Sequence, residues 1–281
     1  GRALFVSPTG PLALCPLRDL NGDGTPDAPF CDVTTLPGTP LGPNGTPAFP
    51  GGFVRYTDDM SFNSQPFNLV LTPNRRESVF GQLRYDFAGG ASLSTRALYT
   101  RRNSVNQAAA NPIIIGPETP GNGLADRIGI SRLNPFNPFG RDLIPLGQPG
   151  GTLVAAARRP LEGGPRIFEQ TVETFHAGIG LDGQFDIRTR AFFWEIDASH
   201  ARNSAEQDFR NTYNLRRIQL ALGDPALCAA TPGCTPLNLF GGPGTITPQM
   251  LAWIRADLHD SSEQTLDTLA ARLGGDIPGL R

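Results

Sequence analysis

The sequence contains no lysine, so all 24 basic residues are arginine. That usage points to a GC-rich coding sequence before it points to chemistry. Against 26 acidic residues the net charge is −2. Such a balance excludes a strongly basic nucleic-acid surface and gives no pull toward an anionic one. No stretch approaches the roughly 18 consecutive apolar residues of a spanning helix. A membrane, if one is involved, must therefore be crossed by strands. There is no basic leader followed by an apolar run, and the chain begins at Gly1 rather than Met, so the expectation is an internal piece of a longer protein. The signatures of catalysis are missing as well: no G-x-S-x-G elbow, no H-E-x-x-H and no glycine-rich phosphate loop after a strand. Glu169 and Glu173 lie near the loop end of a strand and do not read as an acid/base pair. The expectation is a protein that is not an enzyme and requires no cofactor.

What is present is glycine (33) and proline (27) in quantity, with 17 phenylalanines among them. The first two mark long loops, and the third excludes a solvated linker. The four cysteines fall as two local pairs, Cys15/Cys31 and Cys228/Cys234, inside Gly/Pro-rich stretches. Local pairing without C-x-x-C spacing favours disulfides in an oxidising compartment over zinc.

Residues 1–77 read as loop. From Ser78 to Phe87 the chain alternates. Val79, Leu83, Tyr85 and Phe87 share one face with Gly81, while Ser78, Gln82, Arg84 and Asp86 share the other, interrupted by Phe80. Period two over about ten residues is a strand with one apolar and one polar face. A turn at Ala88-Gly89-Gly90 leads to a second strand, Ala91–Asn103, with Leu93, Thr95, Ala97 and Tyr99 opposite Ser92, Ser94, Arg96 and Thr100. After loop 104–165 a third strand, Ile167–Leu181, carries Phe175, Ala177 and Ile179 on one side. A turn at Asp182-Gly183 is expected next. The fourth strand, Phe185–Arg202, alternates Phe192, Trp194, Ile196 and Ala198 with Phe193, Glu195, Asp197 and Ser199. In loop 203–260, helices are expected at Leu215–Leu222, stopped by Gly223, and from Thr247-Pro248 to Leu258. A fifth strand, Ser262–Leu273, has unassigned faces because Asp267 shares a side with Leu269 and Leu273.

Short turns thus alternate with long connections, and both cysteine pairs lie in the long ones. This asymmetry is that of an outer-membrane β-barrel with short periplasmic turns and long extracellular loops. The expected fold is all-β, a partial transmembrane barrel in which an open antiparallel sheet (78–281) follows a loop region (1–77) and carries two further loops with short helices. Five strands cannot close a bacterial barrel, which begins at eight.

The run Arg159-Pro160-Leu161-Glu162-Gly163-Gly164-Pro165-Arg166 leads into the third strand. With Asn134–Gly140, Pro236–Gly242 and Ile246–Leu251, it resembles TonB-dependent outer-membrane receptors of proteobacteria over about Pro66 to Gly279. The resemblance implies a plug domain inside a barrel of about 22 strands. It implies energised uptake of a scarce solute, such as an iron-siderophore or a carbohydrate, with force from TonB through a short N-terminal box. Plug, box and closing strand fall outside this sequence. The implied partners are outer-membrane lipid, the plug, TonB and a small solute, with no nucleic acid.

Asp19, Asn21, Asp23 and Asp27 place oxygens at alternate positions around glycines, a spacing that can wrap Ca²⁺, a hard cation wanting six to eight oxygens. An Asx-rich turn is the plainer alternative. Gln82, Arg84, Arg96, Glu195 and Asp197 are candidates for contact with solute in a lumen, or for charge pairs lining it. Trp194 and Tyr85 read as lipid-facing or interfacial aromatics, His176 and His200 as structural, and Trp253 as the core of a folded loop. Two other readings stand beside the transporter: a secreted, calcium-stabilised β-sandwich and a passive porin or adhesin barrel.

Overall fold

A computed structural model describes residues 1–7, 13–19, 22–26, 28–36, 38–39, 42, 44–117 and 123–275. The protein is all-β: 50% of it is strand, in antiparallel sheets with few helices. No helix among the described residues is long and apolar enough to cross a membrane. Two compact units are built from interleaved segments. The first takes Gly1–Asn68, Gln107–Arg166 and Arg210–Asp257; the second takes Leu69–Asn106, Ile167–Phe209 and the segment from Leu258 onward.

The second unit is formed by five long strands: β5 (Asn74–Asp86), β6 (Ala91–Ala108), β9 (Arg166–Ile187), β10 (Arg190–Tyr213) and β11 (Arg255–Gly275). Their order is β11-β10-β9-β6-β5, and among the described residues the sheet does not close. The first hairpin stands where alternation and glycines put it, with Val79 opposite Tyr99 and Gln82 opposite Arg96. The second hairpin differs from expectation. Its strands do not turn at Asp182-Gly183; β9 continues to Ile187, and the turn is Arg188-Thr189, where Arg188 takes φ 61°. Gly183 has another role. A Cβ there would lie 2.7 Å from the Trp194 ring, so the missing side chain makes room for the indole across the strand pair. β11 is also longer than its sequence pattern suggests.

The segments that read as loop in the first unit contain six short strands, β1 (Arg2–Val6), β2 (Leu17–Arg18), β3 (Ala28–Thr35), β4 (Phe53–Arg55), β7 (Ile113–Ile115) and β8 (Leu153–Arg158). They form one sheet in the order β2-β3-β1-β8-β7, with β4 on β3. Most of these strands carry too few residues for alternation to register, and the eight-residue β3 does not alternate cleanly in burial. Helix α1 (Leu215–Leu222) has its expected bounds, capped by Asn214. A second helix, α2 (Pro225–Ala229), was not anticipated, and α3 (Pro248–Ile254) is capped by Thr247 and stops short of Leu258. Both disulfides lie in this unit, with Cα–Cα distances of 4.1 Å for Cys15–Cys31 and 5.2 Å for Cys228–Cys234.

Phenylalanines fill the core of the first unit. Phe139 packs against Phe5, Phe49, Phe53 and Phe240 with ring centroids 4.8, 5.0, 5.5 and 5.1 Å away. The repeated Asn-Pro-Phe explains how a loop residue holds that place. Asn137 accepts from Phe139 N at 2.9 Å and donates to Ser131 O and Arg141 O. Asn134 likewise accepts from Phe136 N and donates to Ala221 O. Each asparagine closes an Asx turn that aims the following phenylalanine.

A buried arginine ties loop 238–246 to β8. Arg158, with 6% of its side chain exposed, donates to Asn238 O, Gly241 O and Thr245 Oγ1 at 3.0 Å and to Gly242 O and Glu162 Oε1 at 2.9 Å. Glu162 Oε1 also accepts from Gly244 N. Burial pushes the Arg158 pKa down, and Glu162 opposes that shift. Removing the cation would leave a part-buried carboxylate without its counter-charge and several carbonyls without a donor. Arg158→Leu is therefore expected to lower the unfolding free energy by about 3 kcal/mol. Urea unfolding followed by Trp253 fluorescence in a Trp194→Phe background measures it; an unchanged midpoint would show that the clamp is dispensable.

Candidate functional site

Alternation keeps step across the five-stranded sheet, so its two faces carry different chemistry. On the polar face Gln82 of β5, Arg96 of β6 and Glu195 and Asp197 of β10 line one concavity of about 500 Å³. Thr268 and Arg272 of β11 join them. Four of the five residues singled out from sequence are thus brought together. The fifth, Arg84, is not among the lining residues; it pairs with Asp86 at 3.3 Å and Asp182 at 3.5 Å.

Glycines on β9 shape the floor. A Cβ on Gly180 would sit 2.7 Å from Asp197 Oδ1 and 2.9 Å from Ser94 Oγ, and one on Gly178 would meet the Arg96 side chain at 3.5 Å. Two strand positions without side chains let an arginine and a carboxylate lie across the sheet from neighbouring strands. Arg272 Nη1 donates to Glu195 Oε2 at 2.8 Å. Sequence reasoning missed Arg272 because Asp267 obscured the faces of the fifth strand. The small-polar alternation Thr268, Ala270, Arg272 against Leu269, Ala271, Leu273 was the available signal. Asp267 does lie with the leucines, and it is met there by His200 Nδ1 at 2.7 Å.

The arrangement offers paired charges and hydroxyls to a polar ligand. Apolar residues interrupt it where Phe80 pairs across with Leu98 on the same face, and again at Phe193, which alternation puts on the side of Glu195.

The opposite face is an exposed apolar stripe. Val79, Leu83, Tyr85, Ile179, Ile196, Leu269 and Leu273 are all open, Val79 by 71% and Leu269 by 80%. Beyond it, away from the tight turns, the same face changes to ion pairs: Arg75–Glu77, Arg101–Glu173, Arg202–Glu263 and His259–Asp208. Exposed pairs of this kind contribute little stability; their significance here is where the apolar stripe stops.

Of the candidate calcium loop, Asn21 and Asp27 lie outside the described residues. Asp19 accepts from Gly22 N at 2.6 Å and Gly24 N at 2.7 Å, and Asp23 accepts from Thr25 N and Thr25 Oγ1. The acidic oxygens are thus met by backbone and hydroxyl donors of their own turn. Among the described residues no group of three or more His, Cys, Asp or Glu could hold a metal ion.

In the first unit Tyr213 is an ionisable group that the sequence pattern did not mark. Its hydroxyl is buried without a hydrogen-bond partner. Burial pushes its pKa from 10.0 up to about 12, with Glu162 adding to the rise and Arg255 opposing it. The neutral phenol is the form the folded state prefers. Its contribution is therefore full below the unfolded value and is lost as pH rises toward about 12. Urea midpoints should fall between pH 10 and 12. Tyr213→Phe should blunt that fall without lowering stability at pH 7, since it removes a buried hydroxyl that bonds to nothing. A Phe variant as alkali-sensitive as the parent would refute the assignment.

No family model matches the chain, and no curated protein or solved structure is significantly similar to it.

Proposed function

We propose that this chain is a segment of an outer-membrane receptor that takes up a scarce solute by energised transport. The carrying observation is the sorting of the five-stranded sheet into an exposed apolar stripe on one face and a charged concavity on the other. Hydrocarbon offers no hydrogen-bond partners, so a membrane can be crossed by strands only if they are paired throughout. A hydrated interior tolerates Arg, Glu and Asp, and a lipid-facing surface does not. On β9 the stripe runs from Phe175 to Ile187. At roughly 3.3 Å per residue and a tilt of about 45°, it would rise about 28 Å, close to the apolar band of such barrels, about 25 Å. Aromatic rings gather near the tight-turn end, with Tyr85 against Phe87 and Phe185 stacked on Phe192. Aromatic girdles of this kind mark the interface with headgroups. The energised mechanism and the solute class, an iron-siderophore or carbohydrate, rest on the motifs around Arg159–Arg166, Asn134–Gly140 and Pro236–Gly242. The polar concavity is then part of the lumen wall.

The membrane reading is tested by expressing the intact parent gene and fractionating the cells. Recovery in the outer membrane is expected; recovery in soluble periplasm or medium would overturn it. Substitution separates the faces further. Leu83→Arg places a cation mid-stripe, where it costs ~2–4 kcal/mol at a bilayer midplane, and is expected to reduce folding into vesicles. Gln82→Arg, one residue away on the polar face, is expected to fold as the parent does. Equal tolerance of both would sink the assignment of faces. Uptake that survives collapse of the proton-motive force would instead identify a passive barrel.

A further inference from the structure

We propose that a groove in the first unit, walled by Tyr56, Met60, Phe62, Ile114 and Leu161 and flanked by Arg159, binds a small organic anion with a flat apolar body. The inference goes beyond the transport reading and uses none of the residues of the polar concavity. The groove has a volume of about 380 Å³, within the range of about 300–1,000 Å³ of small-molecule clefts. Its lining is mostly apolar, as such clefts are, with a few polar groups at defined places.

Its walls are set by interactions already formed. Arg2 stacks over the Tyr56 ring, 3.8 Å from the centroid, and binds Asp32 through two hydrogen bonds of 2.8 Å. That cation is therefore neutralised, and its effect is to hold the tyrosine ring in place. Phe62 stacks on Phe67 with centroids 5.5 Å apart. Met60, Phe62 and Leu161 remain more than 40% exposed. Three large side chains of this kind around one concavity are an uncovered apolar surface rather than scattered exposure.

Arg159 differs from Arg2 and Arg158, the other arginines that line the groove. Its guanidinium lies over the Phe62 ring, 5.1 Å from the centroid, and Nη1 donates to Ala110 O. Among the described residues no carboxylate forms an ion pair with it, whereas Arg2 has Asp32 and Arg158 has Glu162. Burial and the neighbouring Arg166 push its pKa down, and the one carboxylate that lines the groove, Glu162, is engaged by Arg158. A guanidinium has five N–H donors in a planar fork that matches a carboxylate. A partly desolvated cation beside an apolar wall therefore selects a ligand that is anionic at one end and apolar at the other. A neutral apolar molecule would gain only the wall.

Titration calorimetry on the full chain tests this. The chain is held in lipid nanodiscs or, if fractionation recovers it from the soluble fraction, in plain buffer. The probes are 2-naphthoate and neutral 2-naphthalenemethanol. Saturable binding of naphthoate is expected. Arg159→Gln should weaken it at least tenfold, the scale of one charge-assisted hydrogen bond, while binding of the alcohol changes less than twofold. Met60→Glu, on an exposed turn, should weaken naphthoate comparably by repulsion and decides the matter if Arg159→Gln fails to fold. No saturable binding to the parent chain would overturn the proposal. So would binding that neither variant alters, or equal loss of both probes in Arg159→Gln. Each of these results leaves the fractionation outcome untouched, so failure of the groove is distinguishable from failure of the transport reading.

Discussion

Strand register across five neighbours is the constraint on which the larger sheet depends. Side chains on a strand point alternately to opposite faces, so a slip of one residue would exchange every partner between faces. In β5 and β6 the pairing Val79–Tyr99 and Gln82–Arg96 keeps apolar with apolar and polar with polar. Arg101–Glu173 and Arg272–Glu195 carry the same sorting across β6–β9 and β10–β11. Charge pairs at such exposed positions contribute little energy. What they can do is disfavour the slipped alternatives, which would oppose an arginine to a leucine.

The first unit meets a different requirement. Its segments are rich in proline and glycine, so few of their backbone groups are satisfied by long ladders. Buried backbone polar groups must still be paired. Asn134, Asn137, Asn238 and Arg158 supply side-chain partners for them. Asn238 accepts from Phe240 N and Gly241 N, and Arg158 takes the carbonyls of the same loop. The aromatic cluster around Phe139 can close because these turns are fixed by their own side chains. Excluding water there removes a competitor for the same hydrogen bonds.

These two regimes explain what was legible in the sequence. Long alternating strands declare themselves, because Ser78–Phe87 or Phe192–Ser199 repeats one pattern over many residues. Two of the three capped helices do too, α1 after Asn214 and α3 after Thr247, whereas the five-residue α2 is too short to show a period despite its Asp224 cap. The six short strands of the first unit left no such trace. β4 has three residues and β2 only two, and both pair with β3 across intervening loop rather than through a tight hairpin. The turn placed at Asp182-Gly183 shows the opposite error. Asp-Gly is a strong turn signal locally, but Gly183 sits opposite a tryptophan that needs the space, and tertiary fit outweighs the local preference. In the polar concavity, four residues followed from alternation alone. Arg272 did not, because Asp267 belongs to the ion-pair region beyond the leucines, where face and polarity no longer coincide.

The strand edges carry the argument one step further. Among the described residues, β5 and β11 each have one edge without a partner in the sheet. In water, edge backbone groups are solvated, and exposed edges are tolerated when they are charged or irregular. In hydrocarbon each unpaired group costs several kcal/mol, so on the proposed reading both edges need a neighbouring strand. The antiparallel sheet contains five strands, and an odd number makes the two edge strands run in the same direction. A second copy of the sheet laid edge to edge would therefore pair β11 with β5 in parallel and break the antiparallel order of such barrels. Antiparallel closure requires an odd number of additional strands, and at least three to reach the bacterial minimum of eight. On the proposed reading the two features make separate demands: the apolar stripe needs lipid against it, and the unpaired edges need neighbouring strands.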